Sequence, residues 1–219
     1  MKKYFNILKN NVLFKGFEPV DLENILRCLS GRAVSYKKND IIILSGAPVD
    51  FVGIVLSGSI KIMKDDIEGN TNILTKLGAN DIFAEAFAYA GISESPVTVQ
   101  AEENCEILFI DCKKIIKSCH NACSFHSRLI ENMLSLVAKK NIMLNQKIEI
   151  ISKRTTREKL LMYLEIQKRI MHSSKFTIPY NRGALAHYLC LDRSAMSREL
   201  CKMRDEGLIK FNKNEFEIL

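Results

Sequence analysis

Residues 121–152, NACSFHSRLIENMLSLVAKKNIMLNQKIEIIS, constrain the chain more than any other stretch. Ile130, Leu134, Val137, Leu144, Ile148 and Ile151 recur in alternating steps of four and three, interrupted at Asn141. That repeat predicts one long helix whose a and d positions form a single apolar seam. Asn141 falls at an a position, where a buried amide costs stability and fixes register. A seam of about three heptads is close to the minimum for pairing two helices. A second apolar set, Leu129, Met133, Leu136 and Met143, lies beside it. The helix is therefore expected to touch two things, a twin helix and its own chain.

The 219 residues can hold one large or two small domains, and 47% hydrophobic with 26% charged residues is ordinary for a globular chain. No apolar run approaches the roughly 18 residues of a membrane-spanning helix. The basic opening MKKYFNILKN is followed by no apolar core of a signal peptide, so a cytoplasmic location is expected. Seven cysteines, an odd number, argue for reduced thiols over a disulfide framework. Charge is uneven. Residues 153–219 hold 14 Lys and Arg against 8 Asp and Glu, whereas the remainder is nearly balanced at 18 against 17. A basic excess confined to one end points to a polyanionic partner there.

In chain order, residues 4–28 read as short helices. From Arg32 to Ile110 short β-rich runs follow (DIIIL, FVGIVL, SIKIM, NILTKL, VTVQA, CEILFI), separated by Gly, Asn and Asp turns. Their spacing predicts a compact sandwich or barrel. Asp111 is placed to cap a short helix, CKKIIKSC, before the long helix. That helix is expected to end near 152, because Thr155 and Glu158 make a capping box for the next one. Ser152 to Arg154 is thus the expected hinge, dividing a domain of residues 1–152 from one of 153–219.

In the second domain Asn181 is placed to cap one helix and Asp192 another. Leu185, Ala186 and Leu189 would face inward from the first, and Met196, Leu200 and Met203 from the second. Gly207 is set to end the second, with Leu208 adding an apolar contact. Arg193, Ser194, Ser197, Arg198 and Cys201 are left on the outer face. A hairpin turning at Asn212-Lys213-Asn214 follows. Two helices at a tight turn and then a hairpin predict a winged helix-turn-helix, with DNA candidates Arg182, Arg193, Ser194, Ser197, Arg198 and Lys213.

On these features the chain resembles the cyclic-AMP receptor/FNR (Crp/Fnr) superfamily of bacterial transcription regulators. The strongest likeness is Asp192-Arg193-Ser194-Ala195-Met196-Ser197-Arg198, similar to the start of the family's recognition helix, with Ser194 where many members have Glu. Cys190 stands where a small turn residue is usual. The resemblance implies an α+β chain. Its parts would be an N-terminal double-stranded β-helix (a cupin-like β-roll) as sensor, a long dimerisation helix and a C-terminal winged helix-turn-helix. It also implies a homodimer on a palindromic double-stranded DNA operator, with RNA polymerase as a further partner if the regulator activates. Ile130, Leu134, Val137, Asn141, Leu144, Ile148 and Ile151 would form the dimer interface.

Phe83-Ala84-Glu85 sits where cyclic-nucleotide binders of the family have Phe-Gly-Glu, and Ser95-Pro96 where they have Arg-Ser. No arginine occurs between Arg32 and Arg128, so the bidentate fork that suits a cyclic phosphate is missing. An effector other than a cyclic nucleotide is expected, apolar or weakly polar, in a pocket walled by Phe83, Glu85, Phe87, Tyr89, Thr98, Met133 and Leu136. Alternatively, Cys119, Cys123 and His126 share one helical face and would serve a redox or metal response. Three ligands from one helix leave a tetrahedral site incomplete without Cys112 or a second chain. No cofactor, metal site or catalytic residue is expected. A cupin-type enzyme is disfavoured because none of the four histidines (120, 126, 172, 187) falls among the strands. A non-DNA interaction module is disfavoured by the Arg193/Arg198 face.

Overall fold

The computed structural model describes residues 2–66, 68, 71–116 and 124–219. The elements are α1 (Phe5–Lys9), α2 (Pro19–Cys28), β1 (Arg32–Tyr36), β2 (Ile41–Ile43), β3 (Phe51–Ser57), β4 (Ile60–Asp65), β5 (Thr71–Leu77), β6 (Ile82–Phe83), α3 (Glu85–Tyr89), β7 (Thr98–Ala101), β8 (Cys105–Asp111), α4 (Cys112–Ile116), α5 (Ser124–Ile151), α6 (Thr156–Met171), β9 (Lys175–Thr177), α7 (Arg182–Tyr188), α8 (Arg193–Asp205), β10 (Ile209–Asn212) and β11 (Glu215–Ile218). Contacts divide the chain into Met1–Ala138 and Lys139–Leu219. The division falls inside α5, so the last turns of the long helix belong with the C-terminal elements. Position 152/153 marks instead the break between α5 and α6.

The first unit is built on two antiparallel four-stranded sheets, ordered β1-β8-β3-β6 and β2-β7-β4-β5. Strand alternation explains why FVGIVL and CEILFI are almost continuously apolar. Val52, Ile54 and Leu56 with Leu108 and Ile110 join the core under α1 and α2, while Val55, Ile107 and Phe109 join the core between the sheets. A sheet covered on both faces needs apolar residues at both parities. Gly53 is what lets β6 close on β3. A Cβ there would lie 2.3 Å from the Phe83 ring. The edge strand β5 is exposed along nearly its whole length, although NILTKL reads much like the inner strands.

On α5, Leu129, Met133 and Leu136 are buried in the core under α1 and α2. The seam points away: Ile130, Val137 and Ile148 are exposed, as are Leu134 at 68% and Leu144 at 61%. Asn141 is also exposed and accepts a 2.7 Å hydrogen bond from Asn145. Met143, grouped by spacing with the inward set, is 66% exposed. It belongs to the next unit, where the core under α1 and α2 no longer continues.

In the second unit the capping box forms as expected: Thr155 Oγ1 accepts from the Glu158 N–H, and Glu158 accepts from the Thr155 N–H at 3.0 Å. Ile150 is buried in the same core as Leu160, Leu185, Met196, Leu200 and Met203. A strand missed by sequence, β9, makes the terminal hairpin a three-stranded sheet, β10-β11-β9, in which Phe176 pairs with Phe216. Cys28, Cys105, Cys112, Cys190 and Cys201 are free thiols. No described helix is long and apolar enough to cross a membrane.

Candidate nucleic-acid interface

Helix α7 starts where Asn181 Oδ1 accepts from the Ala184 N–H at 2.9 Å. It ends through two backbone bonds, Leu191 N–H to the Ala186 carbonyl (2.9 Å) and Cys190 N–H to the His187 carbonyl (3.1 Å). This Schellman closure needs a left-handed residue, and Cys190 supplies it at φ 52°. A side chain there is strained, whereas glycine is at home. Cys190→Gly is therefore expected to stabilise the C-terminal unit by about 0.5–1 kcal/mol, read from chemical denaturation. Equal stability would mean that the turn carries no strain.

Helix α8 begins at Asp192, whose carboxylate accepts from the Ala195 N–H (2.8 Å) and the Ser194 hydroxyl (2.6 Å). It ends at Gly207 (φ 76°), where Leu208 N–H closes onto the Met203 carbonyl at 3.0 Å. Leu208 stays 40% exposed, so the apolar contact expected of it is slight. Met196, Leu200 and Met203 are buried, and Arg193, Ser194, Arg198 and Cys201 are exposed. Ser197 is half-buried, its hydroxyl donating to the Arg193 carbonyl at 2.9 Å.

Electrostatics favour an anion on this face. Arg157 of α6 bonds Glu199, and it bonds Glu206 at both carboxylate oxygens (2.7 and 2.8 Å). Asp205 pairs with Arg204. The carboxylates on and beside α8 are thus occupied, while Arg193 and Arg198 make no ion pair among the described residues. Lys202 follows Arg198 by one turn and is exposed, a cation that the sequence pattern alone did not single out. Arg182, Gly183, Arg193, Lys213 and Asn214 line one cleft of about 720 Å³. Three separate elements therefore bring three cations together. Arg182 lies over the rings of Phe211 (4.6 Å) and Phe216 (5.1 Å), and its buried Nη1 has no hydrogen-bond partner among the described residues. Burial holds its guanidinium pKa below the usual arginine range.

Three carboxyls of this unit sit below their ordinary pKa. Asp192 is lowered by the Ser194 hydroxyl and the Ala195 N–H, Glu206 by Arg157, and Glu158 by the Thr155 N–H. A depressed folded pKa contributes stability above the unfolded value, and that contribution is lost as pH falls through the folded one. Thermal midpoints should be flat from neutrality down to about pH 5, then fall below the ordinary values of 4.5 for Glu and 3.8 for Asp. A midpoint rising below pH 4.5 would contradict these bonds.

The residues expected to wall the sensor pocket fall into two packings. Phe83 and Phe87 belong to the core between the sheets, whereas Met133, Leu136 and Tyr89 belong to the core under the N-terminal helices. Glu85 is buried at the start of α3, and Thr98 is half-buried, its hydroxyl accepting from the Ser45 N–H at 3.2 Å. Ala84, where the resemblance expects glycine, adopts φ 66°. Ser95 is buried, with its hydroxyl donating to the Val97 carbonyl at 2.7 Å. Cys119 and Cys123 lie outside the described residues. His126 is only 4% exposed. Its Nε2 is 3.1 Å from the Lys114 carbonyl, which can only accept, so Nε2 carries the proton. Cys28 Sγ lies 3.8 Å from the same nitrogen. Among the described residues no group of three or more His, Cys, Asp or Glu could hold a metal ion.

The cyclic nucleotide-binding domain model matches residues 33–121, and the Crp-like helix-turn-helix domain model matches residues 158–219. No curated protein matches. The catabolite activator protein of Thermus thermophilus has a similar fold, with TM-score 0.55 and 18% identity over 95% of this chain and 94% of that one. DNR from Pseudomonas aeruginosa gives 0.53 and 21%, over 100% and 95%. CLP of Xanthomonas campestris, described as a c-di-GMP responsive global regulator, gives 0.58 and 15%, over 92% and 99%.

Proposed function

The chain belongs to the Crp/Fnr superfamily of transcription regulators, and we propose that it works as a cytoplasmic homodimer reading a palindromic operator under the control of an effector that is not a cyclic nucleotide. The observation that carries the DNA reading is the cleft of Arg182, Arg193 and Lys213 beside an α8 face whose neighbouring carboxylates are already paired. Arg193 and Arg198 read bases. Ser194 and Ser197 flank them, and Arg182 and Lys213 take backbone phosphates. RNA polymerase is a further partner if the regulator activates.

Dimerisation rests on the exposed apolar row along α5 from Ile130 to Ile148, continued by the half-buried Ile151. The case against a cyclic nucleotide rests on Ser95, whose hydroxyl is committed to its own loop, and on a β-roll without arginine beyond Arg32. Of the effector walls expected (Phe83, Glu85, Phe87, Thr98, Met133, Leu136), Phe83 and Phe87 lie in one core and Met133 and Leu136 in another, which favours a ligand site elsewhere in the sensor. A thiol- or metal-based response through Cys119, Cys123 and His126 is the weaker reading, because His126 is turned inward onto a carbonyl.

Titration of a duplex pool tests the DNA reading. Contacts to roughly six or more phosphates should lower affinity by about 10³-fold between about 50 and 200 mM salt. Binding indifferent to salt, or none at low salt, would remove DNA as the partner.

A further inference from the structure

A cavity of about 440 Å³ lies wholly within the sensor unit, between the loop before β3, the end of α3 and the start of α4. Its size sits at the lower end of small-molecule sites, about 300–1,000 Å³. The loops that carry Pro48 and Ser93 are joined by backbone bonds: Gly46 N–H to the Ser95 carbonyl and Ser95 N–H to the Ala47 carbonyl, both 2.8 Å. Beyond Gly91, at φ 70°, there is open space where a side chain would stand. Ala88, Ile92 and the Tyr89 ring give the cavity an apolar wall.

The polar groups are few and of a particular kind. Tyr89 lines the cavity, but its hydroxyl is buried out of reach of a bound molecule, which would meet the ring. Asp50 and Lys113 also line the cavity. Both are exposed, neither makes an ion pair among the described residues, and both lie within electrostatic reach of the buried Cys112 thiol. Burial raises the Cys112 pKa, so the thiol is neutral at physiological pH and adds no charge.

A carboxylate alone would meet Asp50 as a like charge, and an amine alone would meet Lys113. A zwitterion satisfies both. We propose that this cavity binds a free α-amino acid with an apolar side chain, its ammonium at Asp50, its carboxylate at Lys113, and its side chain against Ala88, Ile92 and the Tyr89 ring. That the bound amino acid acts as an effector rests on the regulator reading above; that it binds does not.

Calorimetry on the full chain tests the site with L-leucine and L-phenylalanine, and with leucinamide and 4-methylpentanoate as analogues lacking one charge each. Leucine should bind saturably, and each analogue should bind at least about tenfold more weakly, the scale of one charged hydrogen bond. Asp50→Asn should remove the preference for leucine over 4-methylpentanoate, and Lys113→Gln the preference over leucinamide. Both variants should keep an unchanged melting midpoint, showing that the fold is intact. No saturable heat from either amino acid up to about 10 mM overturns the site. So does 4-methylpentanoate binding as tightly as leucine. If leucine binds as expected while operator affinity is the same with and without it, the site stands and its role as effector falls.

Discussion

Val137→Lys with Leu144→Lys should turn the protein into a monomer that no longer holds its operator. Both side chains are exposed in the single chain, so neither substitution opens a cavity in any of its cores. In the dimer each lysine would face its symmetry mate across the seam, where like charges are desolvated together. Losing the twin converts two linked half-site contacts into one, and operator affinity should fall by about 10²–10⁴-fold. Sedimentation and a gel shift read the two effects separately. A variant that still sediments as a dimer would show that the row on α5 is not the interface.

The second large effect concerns the two arginines of α8. If Arg193 or Arg198 is bidentate to guanine, its alanine variant should lose about 1–3 kcal/mol of discrimination between the operator and random duplex. Lys213→Ala should instead weaken both kinds of DNA alike and make the salt slope shallower by about one. Arg182→Ala is more than a lost charge, because the guanidinium also covers Phe211 and Phe216. Its effect has to be read beside a melting curve. Equal losses on operator and random DNA for both α8 arginines would remove base reading from that helix.

Much of the reader was legible in the sequence because its determinants are local. Asn181, Thr155 and Asp192 bond to backbone within three residues of themselves, so the residue type and its spacing carry the whole signal. The seam on α5 was legible for a similar reason: a helical repeat states which side chains share a face. The strands β1 and β9 were not, since RAVSY and KFT are strands only by virtue of β8 and β11 beside them. The expected pocket walls turn on parity. Ile82 and Phe83 are neighbours in sequence, yet Ile82 joins the core under α1 and α2 while Phe83 joins the core between the sheets. A strand sends adjacent side chains to opposite faces, and nothing in the local sequence says which face meets Met133 and Leu136. The cleft of Arg182, Arg193 and Lys213 was half legible. The residue types stood out, but their meeting in one place depends on the hairpin folding back over the start of α7 and α8.

Selection of bound sequences from a pool of random duplexes tests the central claim most directly, since every possible half-site competes in one tube. A homodimeric reader with one recognition helix per chain should enrich a near-palindrome whose half-sites lie about 34 Å apart, one turn of the double helix. Recovery of a single unrepeated half-site, or of no enriched sequence at all, would contradict it.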